Sequence, residues 1–302
     1  MTLPAIEPQT ATWLADWAAA TPKILGIDFS KYQGDIDLSK AINAGANFFF
    51  CRVGGGYKDT GKPFIDDLWD VNSKKLTDCG KPWAGYWYFI PKNVDEQLQW
   101  LLDEYLYQDY WMPLAIDCEK WWTTTAGLST AQASDALEDF ANGLTIAGVE
   151  WQIYTRKSFW DVYYQPRTCF SSNDLWVAHW GVDNPAIPKN WLTYRFHQWS
   201  GDGNGRGAEF GAESSAIDLD YFNGDAAAFN EYLGLTEPYP FMVQVTQPVV
   251  VRVAPDAMST PLWVAPLNTR LGVIGGVNDD AEKLWFDVGS GWIRGSNTVR
   301  CE

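Results

Sequence analysis

Three short segments of this 302-residue chain place a carboxylic acid directly after an isoleucine. They read GIDF at 26–29, AIDCE at 115–119 and AIDLD at 216–220. Side chains alternate across a strand, so if the three isoleucines face outwards, the acids beside them face a common interior. The acids that this alternation places together are Asp28, Asp117, Glu119 and Asp218.

Carboxyl groups that converge away from water cannot all ionise, because each negative charge raises the pKa of the others. A glycosidase uses this effect: one carboxyl stays protonated as a general acid while a neighbour stays charged. A lone acid at a strand end would more simply bind Arg or Lys or cap a helix. The set of four favours glycoside hydrolysis, although the spacing of Asp117 and Glu119 does not distinguish retention from inversion.

Short apolar runs alternate with segments of helical period from residue 24 to about residue 225. Strands are predicted at 24–29, 47–53, 83–89, 113–118, 150–154, 174–179, 193–199 and 215–221. Helices are predicted at 37–45, 64–79, 94–109, 129–147 and 157–164. Mostly helical crossovers predict a parallel sheet closed into a TIM-like (β/α) barrel, in the α/β class and irregular in its last units. Gly26, Ala115 and Ala216 would lie below the acids and leave room for a ligand.

The pattern changes after Asp225, where a short helix at 226–233 precedes a stretch rich in Gly and Pro. Closely spaced strand-like runs then predict a small all-β barrel. The expected organisation is a leader at 1–23, the (β/α) barrel at 24–233, a linker at 234–240 and the small β domain at 241–302.

Composition excludes several other classes of protein. The net charge of −16 argues against nucleic acid as a partner, and no apolar run is long enough for membrane insertion. Five cysteines without a C-x-x-C pair and two histidines without an H-E-x-x-H motif indicate neither a metal site nor a cofactor. The 18 Trp, 14 Tyr and 15 Phe provide flat rings suited to the apolar faces of sugars. A monomer is expected.

The segment GIDFSKYQGDID at 26–37 resembles the opening of the family 25 glycoside hydrolases, the Chalaropsis-type lysozymes. Further segments are similar to later strands of that family, in the same order. They lie at 49–53, 114–119, 153–155, 175–179, 197–200 and 217–222. The resemblance covers residues 24–225, about two thirds of the chain.

This resemblance implies hydrolysis of the β-1,4 bond between N-acetylmuramic acid and N-acetylglucosamine in bacterial peptidoglycan, with no cofactor. By position, Glu119 is the general acid, and Asp117 orients the substrate's N-acetyl group as an internal nucleophile. Asp28 and Asp218 flank this pair. Substrate-binding residues are expected at Tyr86, Trp87, Tyr88, Trp121, Tyr154, Trp180 and Gln198.

The third strand, GYWYF at 85–89, departs from the family pattern. The position where the family has a tyrosine holds Trp87, unless the register shifts by one and Tyr86 or Tyr88 takes that role.

The C-terminal region resembles the bacterial SH3-like wall-binding domains, through VVRVAP at 250–255, LWFDV at 284–288 and GWI at 291–293. The resemblance implies a tether to an insoluble polymer, which raises the local substrate concentration. The expected location is extracellular or at the bacterial cell wall, with no signal peptide before Lys23.

Two other functions remain open. The first is a peptidoglycan-binding protein without catalysis, against which the presence of both Asp117 and Glu119 argues. The second is a chitinase-like glycosidase, which would require an acid where this chain has Ala115.

Overall fold

The computed structural model describes residues 23–119, 127–234, 241–273, 275–278, 284–288 and 291–300. The chain divides into two compact units, one ending at Leu233 and one beginning at Gly234. The predicted leader, apart from Lys23, and the predicted linker, apart from Gly234, lie outside the described residues.

Nine strands of the first unit form one sheet. They are β1 (Ile24–Phe29), β2 (Phe48–Gly56), β3 (Pro63–Ile65), β4 (Trp83–Tyr88), β5 (Leu114–Asp117), β6 (Trp151–Thr155), β7 (Leu175–Ala178), β8 (Phe196–Ser200) and β9 (Asp218–Phe222). Because β1 pairs with both β2 and β9, eight of these strands close into a barrel. Strand β3 is added to β2 as an antiparallel edge.

Helices follow most of the parallel strands. They are α1 (Leu38–Asn43), α2 (Trp69–Cys79), α3 (Val94–Tyr105), α4 (Thr130–Ile146), α5 (Lys157–Tyr163), α6 (Thr168–Ser171) and α7 (Ala226–Tyr232). Side chains at the N-caps fix where several of them begin, since they accept hydrogen bonds from otherwise unpaired backbone N–H groups. Asp37 and Asp225 cap α1 and α7, and Ser129 forms a capping box with Gln132 at α4.

The last strand of the barrel corrects the expectation of a parallel sheet. Strand β9 runs antiparallel to both of its neighbours, β1 and β8. The connection at 201–217 is described in full and contains only a 3-10 turn at Gly203–Gly205, so the chain is not returned to the opposite end of the barrel. Strand β9 therefore begins where the parallel strands end. Asp218 is its first residue, and Ala216 precedes the strand rather than lying below the acid.

A second correction concerns the space beneath the acids. Gly26 lies beside Phe48 in the β1–β2 pairing, and a Cβ at Gly26 would overlap the Phe48 ring. The absent side chain therefore makes room for an aromatic ring of the core rather than for a ligand. Ala115 likewise packs into the apolar cluster inside the barrel.

Two apolar layers hold the first unit together. One fills the barrel and contains Phe48, Phe50, Trp176, Phe196 and Phe222, while the other lies between the strands and the helices. Helix α7 closes the amino-terminal end of the barrel, where Phe229 packs against Phe48 and Phe222. The packed lower half leaves the carboxyl end of the barrel as the place for a ligand.

The second unit consists of antiparallel strands. They are β10 (Phe241–Val245), β11 (Val249–Arg252), β12 (Pro261–Ala265), β13 (Arg270–Val273), β14 (Gly275–Asn278), β15 (Leu284–Asp287), β16 (Trp292–Arg294) and β17 (Thr298–Arg300). They form sheets of three and five strands around a small core rich in valine. In the described parts of both units, no helix is long and apolar enough to span a bilayer.

Candidate active site

The four acids singled out in the sequence lie at the carboxyl end of the barrel. Asp28 is the last inward-facing residue of β1. Asp117 is the last residue of β5, and Glu119 follows two residues later. Asp218 is the backbone partner of Asp28 in the β1–β9 pairing. All four side chains line one cavity of about 230 Å³. The antiparallel direction of β9 is what brings Asp218 to this end.

Burial raises the pKa of every acid in this cluster. It raises the pKa of Asp28 to about 7, against the lowering effect of hydrogen bonds from Gln198 and Asp220. It raises the pKa of Asp218 to about 9, with further increases from the charges of Asp28 and Glu119. Part of the cluster is therefore protonated at neutral pH.

Asp117 and Glu119 each have a different arginine that opposes the increase in pKa. Burial and the charges of Glu119 and Asp28 raise the pKa of Asp117 well above its usual value, and Arg52 opposes them. Burial also raises the pKa of Glu119, and Arg156 opposes it. Each acid thus has its own nearby cation, so the two need not ionise together.

Gln198 connects three of the predicted site residues. Its Nε2 donates a hydrogen bond to Oδ2 of Asp28 at 2.8 Å. Its Oε1 accepts hydrogen bonds from the Tyr154 hydroxyl at 2.8 Å and from Nε1 of Trp180 at 2.9 Å. Because donors reach one end of the amide and an acceptor the other, the orientation of Gln198 is fixed. Asp28, Tyr154 and Trp180 are held by one side chain.

The sequence reasoning did not single out Asp220 as a site residue. Asp220 is fully buried two residues beyond Asp218 on the same face of β9. Its Oδ1 accepts a hydrogen bond from Nε1 of Trp176 at 2.7 Å, and it shares a hydrogen bond with Asp28. Burial and the charge of Asp28 raise its pKa well above the usual range. The D-x-D spacing in IDLD was the signal that could have identified it.

Arg52 is a second residue that the sequence reasoning passed over. Its guanidinium pairs with the buried carboxylate of Asp66 at 2.6 Å and lies 4.9 Å from the centre of the Tyr32 ring. It lines a cavity of about 540 Å³ that also contains Asp117 and Glu119. The signal was a charged residue within the otherwise apolar strand FFFCRV.

Three cavities meet at Glu119 and together form an open groove. Besides the cavities of about 230 Å³ and 540 Å³, a third of about 580 Å³ is lined by Glu119, Arg156 and the apolar residues of α5. Exposed rings stand along the groove: Tyr32 is 70% exposed, Tyr57 58% and Trp180 51%. A groove with aromatic walls is suited to an extended sugar chain.

The three candidate residues of the third strand lie on opposite sides of that strand. Tyr86 and Tyr88 line the groove. Trp87 lies between them in the chain, so it faces the helices, where it is fully buried and donates from Nε1 to Oε1 of Gln97 at 3.2 Å. The expectation that Trp87 contacts substrate was therefore wrong. Trp121, the remaining predicted binding residue, lies outside the described residues.

A closed eight-stranded barrel with several buried carboxyl groups in an open aromatic groove has the features of a glycoside hydrolase. One carboxyl can supply a proton while a charged neighbour stabilises a developing positive charge. The neighbouring cations Arg52 and Arg156 bias which carboxyl keeps its proton.

Comparison with known proteins agrees with this class. Residues 27–208 match the profile of glycosyl hydrolases family 25. The chain is 29% identical to lysozyme M1 of Streptomyces globisporus over 229 residues, covering 69% of this chain and 71% of the relative. The chain belongs to glycosyl hydrolase family 25 and is a glycoside hydrolase.

Two solved structures are similar to the first unit. The bacterial lysozyme from Streptomyces coelicolor matches with a TM-score of 0.56 and 26% identity, over 72% of this chain and 99% of that one. A family 25 glycosyl hydrolase from Bacillus anthracis matches with a TM-score of 0.59 and 20% identity, over 70% and 93%. At 20% identity the second match shows a shared fold.

Proposed function

We propose that this protein is an N-acetylmuramidase, a lysozyme that cleaves the β-1,4 bond between N-acetylmuramic acid and N-acetylglucosamine in bacterial peptidoglycan. The observation that carries the proposal is the meeting of three aspartates with Glu119 in an open groove. Membership of family 25 and the similarity to lysozymes from two Streptomyces species support this choice of substrate.

Glu119 is the general acid in this proposal. It lies where the three cavities meet and is only partly covered, so a glycosidic oxygen can reach it. Burial raises its pKa, which keeps a proton available for the leaving oxygen. Its proton moves to that oxygen as the bond to the sugar carbon C1 breaks. The same carboxylate later accepts a proton from the water that completes hydrolysis.

Asp117 assists the internal nucleophile. Its Oδ1 is buried and makes no hydrogen bond to any described residue, so it is free to accept one from the N-acetyl N–H of the muramyl sugar. The acetamide oxygen then attacks C1 and forms a bond there as the glycosidic bond breaks. Water attacks C1 in the second step and releases the acetamide. Two displacements at the same carbon give net retention.

The other groups bind and orient the sugar. Asp28 and Asp218 flank the reacting pair, and Gln198 holds Asp28 in place. Tyr86, Tyr154 and Trp180 line the same cavity and supply hydroxyl and ring contacts. The proposed reaction uses no metal or cofactor.

The second unit is the wall-binding part of this proposal. Its antiparallel strands and valine-rich core, together with the sequence resemblance to SH3-like domains, support that role. The protein acts as a monomer outside the cell that produces it, at the bacterial wall.

The test is digestion of purified bacterial walls by the wild-type protein and by Glu119→Gln. Wild type is expected to release new reducing ends that carry muramic acid, detected by mass spectrometry. Glu119→Gln keeps the shape but cannot donate the proton, so turnover is expected to fall by at least about a thousandfold. Wall binding should persist.

The matched control is Glu209→Gln, a change at an exposed glutamate that pairs with Arg206. It should leave turnover unchanged. Release of free amino groups instead of reducing ends, or full activity in Glu119→Gln, would contradict the proposal.

A further inference from the structure

Arg156 lies at the edge of the groove in a position that none of the steps above uses. It follows β6 directly and precedes α5, so its backbone is held between two regular elements. Its guanidinium lies 4.5 Å from the centre of the Trp180 ring. Both side chains line the cavity of about 580 Å³ and the smaller cavity that holds the four acids.

The other arginines of the first unit all pair with carboxylates. Arg52, Arg167, Arg195 and Arg206 each form an ion pair with a carboxylate at a described position. Among the residues that the structure describes, Arg156 forms neither an ion pair nor a hydrogen bond through its side chain. Glu119 is close enough to interact with it electrostatically but is not paired with it.

Contact with the face of the Trp180 ring limits how far the guanidinium can move. A guanidinium offers five donors in one plane, and at this position they form no hydrogen bond to a described residue, so they are available to a ligand. A cation over an indole ring also gains a further interaction when it is partly removed from water. The result is a preorganised site for a planar anion, and a carboxylate fits this geometry with two parallel hydrogen bonds.

We infer that Arg156, held over the Trp180 ring, binds a carboxylate carried by a muramyl residue of the glycan next to the bond that Glu119 cleaves. The inference rests on the proposed function and adds a specificity-determining contact to it. The carboxylate comes either from the lactyl group of the muramyl sugar or from the peptide attached there. Both sources present the same chemistry to the guanidinium.

This contact also explains how a groove lined by carboxyl groups can hold an anionic substrate. The groove contains a cluster of carboxyl groups that would repel a negatively charged glycan. A guanidinium beside them offsets that repulsion at the point of contact. A neutral N-acetylglucosamine chain would gain nothing from Arg156.

The test compares wild type, Arg156→Gln and Arg206→Gln on matched soluble fragments of glycan strands. One set carries peptides with free carboxylates, the second carries the lactyl carboxylate without peptide, and the third has its carboxylates converted to amides. Arg206 is the control because it is an exposed arginine, outside the groove, that pairs with Glu209.

Arg156→Gln is expected to raise KM about tenfold on whichever carboxylate form supplies the ligand, as expected for loss of one charge-assisted hydrogen-bonded pair. On the amidated fragments Arg156→Gln and wild type should have the same KM. Arg156→Lys keeps the charge but lacks the planar fork, so its KM should lie between them. Arg206→Gln should match wild type throughout.

Two results would overturn the inference. One is an equal increase in KM on amidated and unmodified fragments, which would mean that Arg156 only supports the local structure. The other is an unchanged KM on both carboxylate forms. Wild-type release of muramic-acid reducing ends in the same assay tests the proposed function separately.

Discussion

The amide of Gln198 donates a hydrogen bond to Oδ2 of Asp28 at 2.8 Å across the mouth of the barrel. The two residues lie 170 positions apart in the chain. The bond joins β1, the first strand of the barrel, to β8, the seventh of its eight strands. The same amide accepts from Tyr154 and Trp180, so it fixes both an acid and two walls of the cavity.

Gln198→Glu separates these two roles. A glutamate can still accept from Tyr154 and Trp180, but it presents an oxygen to Asp28 where the amide presented a donor. The two carboxyls must then share a proton. We expect kcat/KM at pH 7 to fall about tenfold or more, with the pH optimum moved to lower values. The measurement is kcat/KM from pH 4 to pH 9, and an unchanged profile would contradict the positioning role.

Asp218 gives the stability of the protein a dependence on pH. Its pKa is raised from 3.8 to about 9, so the folded protein binds more protons than the unfolded chain between these values. The free energy of unfolding contributed by this group is therefore fully present below about pH 4 and falls as the pH rises towards 9.

Asp218→Asn should remove that slope. We expect the melting temperature of the variant at pH 8 to exceed that of wild type by at least about 2 °C, the shift that about 1 kcal/mol produces in a domain of this size. The difference should shrink towards pH 4. Asp183→Asn, at an exposed carboxylate, is the control. Parallel curves for wild type and Asp218→Asn would show that the acid does not hold its proton.

Asp220 can be tested with two substitutions of different chemistry. Asp220→Asn keeps an acceptor for Trp176 and gives Asp28 a donor, so activity should stay within about threefold of wild type. Asp220→Ala leaves the buried Nε1 of Trp176 without a partner and should destabilise the protein by about 1–3 kcal/mol. Denaturant unfolding measures the difference. Equal stability of the two variants would contradict the assigned hydrogen bond.

Gly26 is predicted to be intolerant of any side chain. Gly26→Ala places a methyl group against the Phe48 ring and should destabilise the protein by about 1–3 kcal/mol, as overpacking does. In a Phe48→Leu background the same change should have a smaller effect, because the ring is gone. A double-mutant cycle measured by thermal unfolding checks this coupling. Additive effects would mean that the strain lies elsewhere.

Removal of residues 241–302 tests the second unit as a tether. The lysozyme from Streptomyces coelicolor is matched over 99% of its chain by 72% of this chain, so we expect the first unit to fold without residues 241–302. We expect the shortened protein to hydrolyse soluble fragments at a rate close to wild type and to bind insoluble walls at least about tenfold more weakly. A cosedimentation assay measures the binding. Unchanged sedimentation would contradict the wall-binding role.

Local pattern was enough to predict much of the first unit. The short apolar runs placed the eight strands of the barrel near their observed positions, and α4 begins at Thr130, one residue after the predicted start of that helix. The convergence of Asp28, Asp117 and Glu119 followed from their places at the ends of parallel strands.

Features that depend on contacts between distant parts of the chain could not be predicted in the same way. Strand β9 is antiparallel because the connection before it, which is described in full, contains no helix that crosses to the other end of the barrel. The sequence of a loop does not indicate at which end of the barrel the next strand begins. The predicted helix at 64–79 begins only at Trp69, because Pro63–Ile65 pairs with the glycine run of β2. At Gly54 that approach is so close that a Cβ would overlap the Phe64 carbonyl.

The site residues that were missed have the same explanation. Asp220 becomes important through Trp176 and Asp28, and Arg52 through Asp66 and Tyr32, which lie elsewhere in the sequence. The alternation of side chains along a strand was enough to place Trp87, because Trp87 lies between Tyr86 and Tyr88 and cannot face the groove when they do.

Helix α7 has a practical consequence. With Phe229 and Tyr232 it fills the end of the barrel opposite the groove, and the first unit ends directly after it. A dye or a surface anchor attached at the last residues of α7 would be joined on the side of the barrel remote from the groove. Attachment at this end would therefore leave the groove of the barrel accessible to substrate.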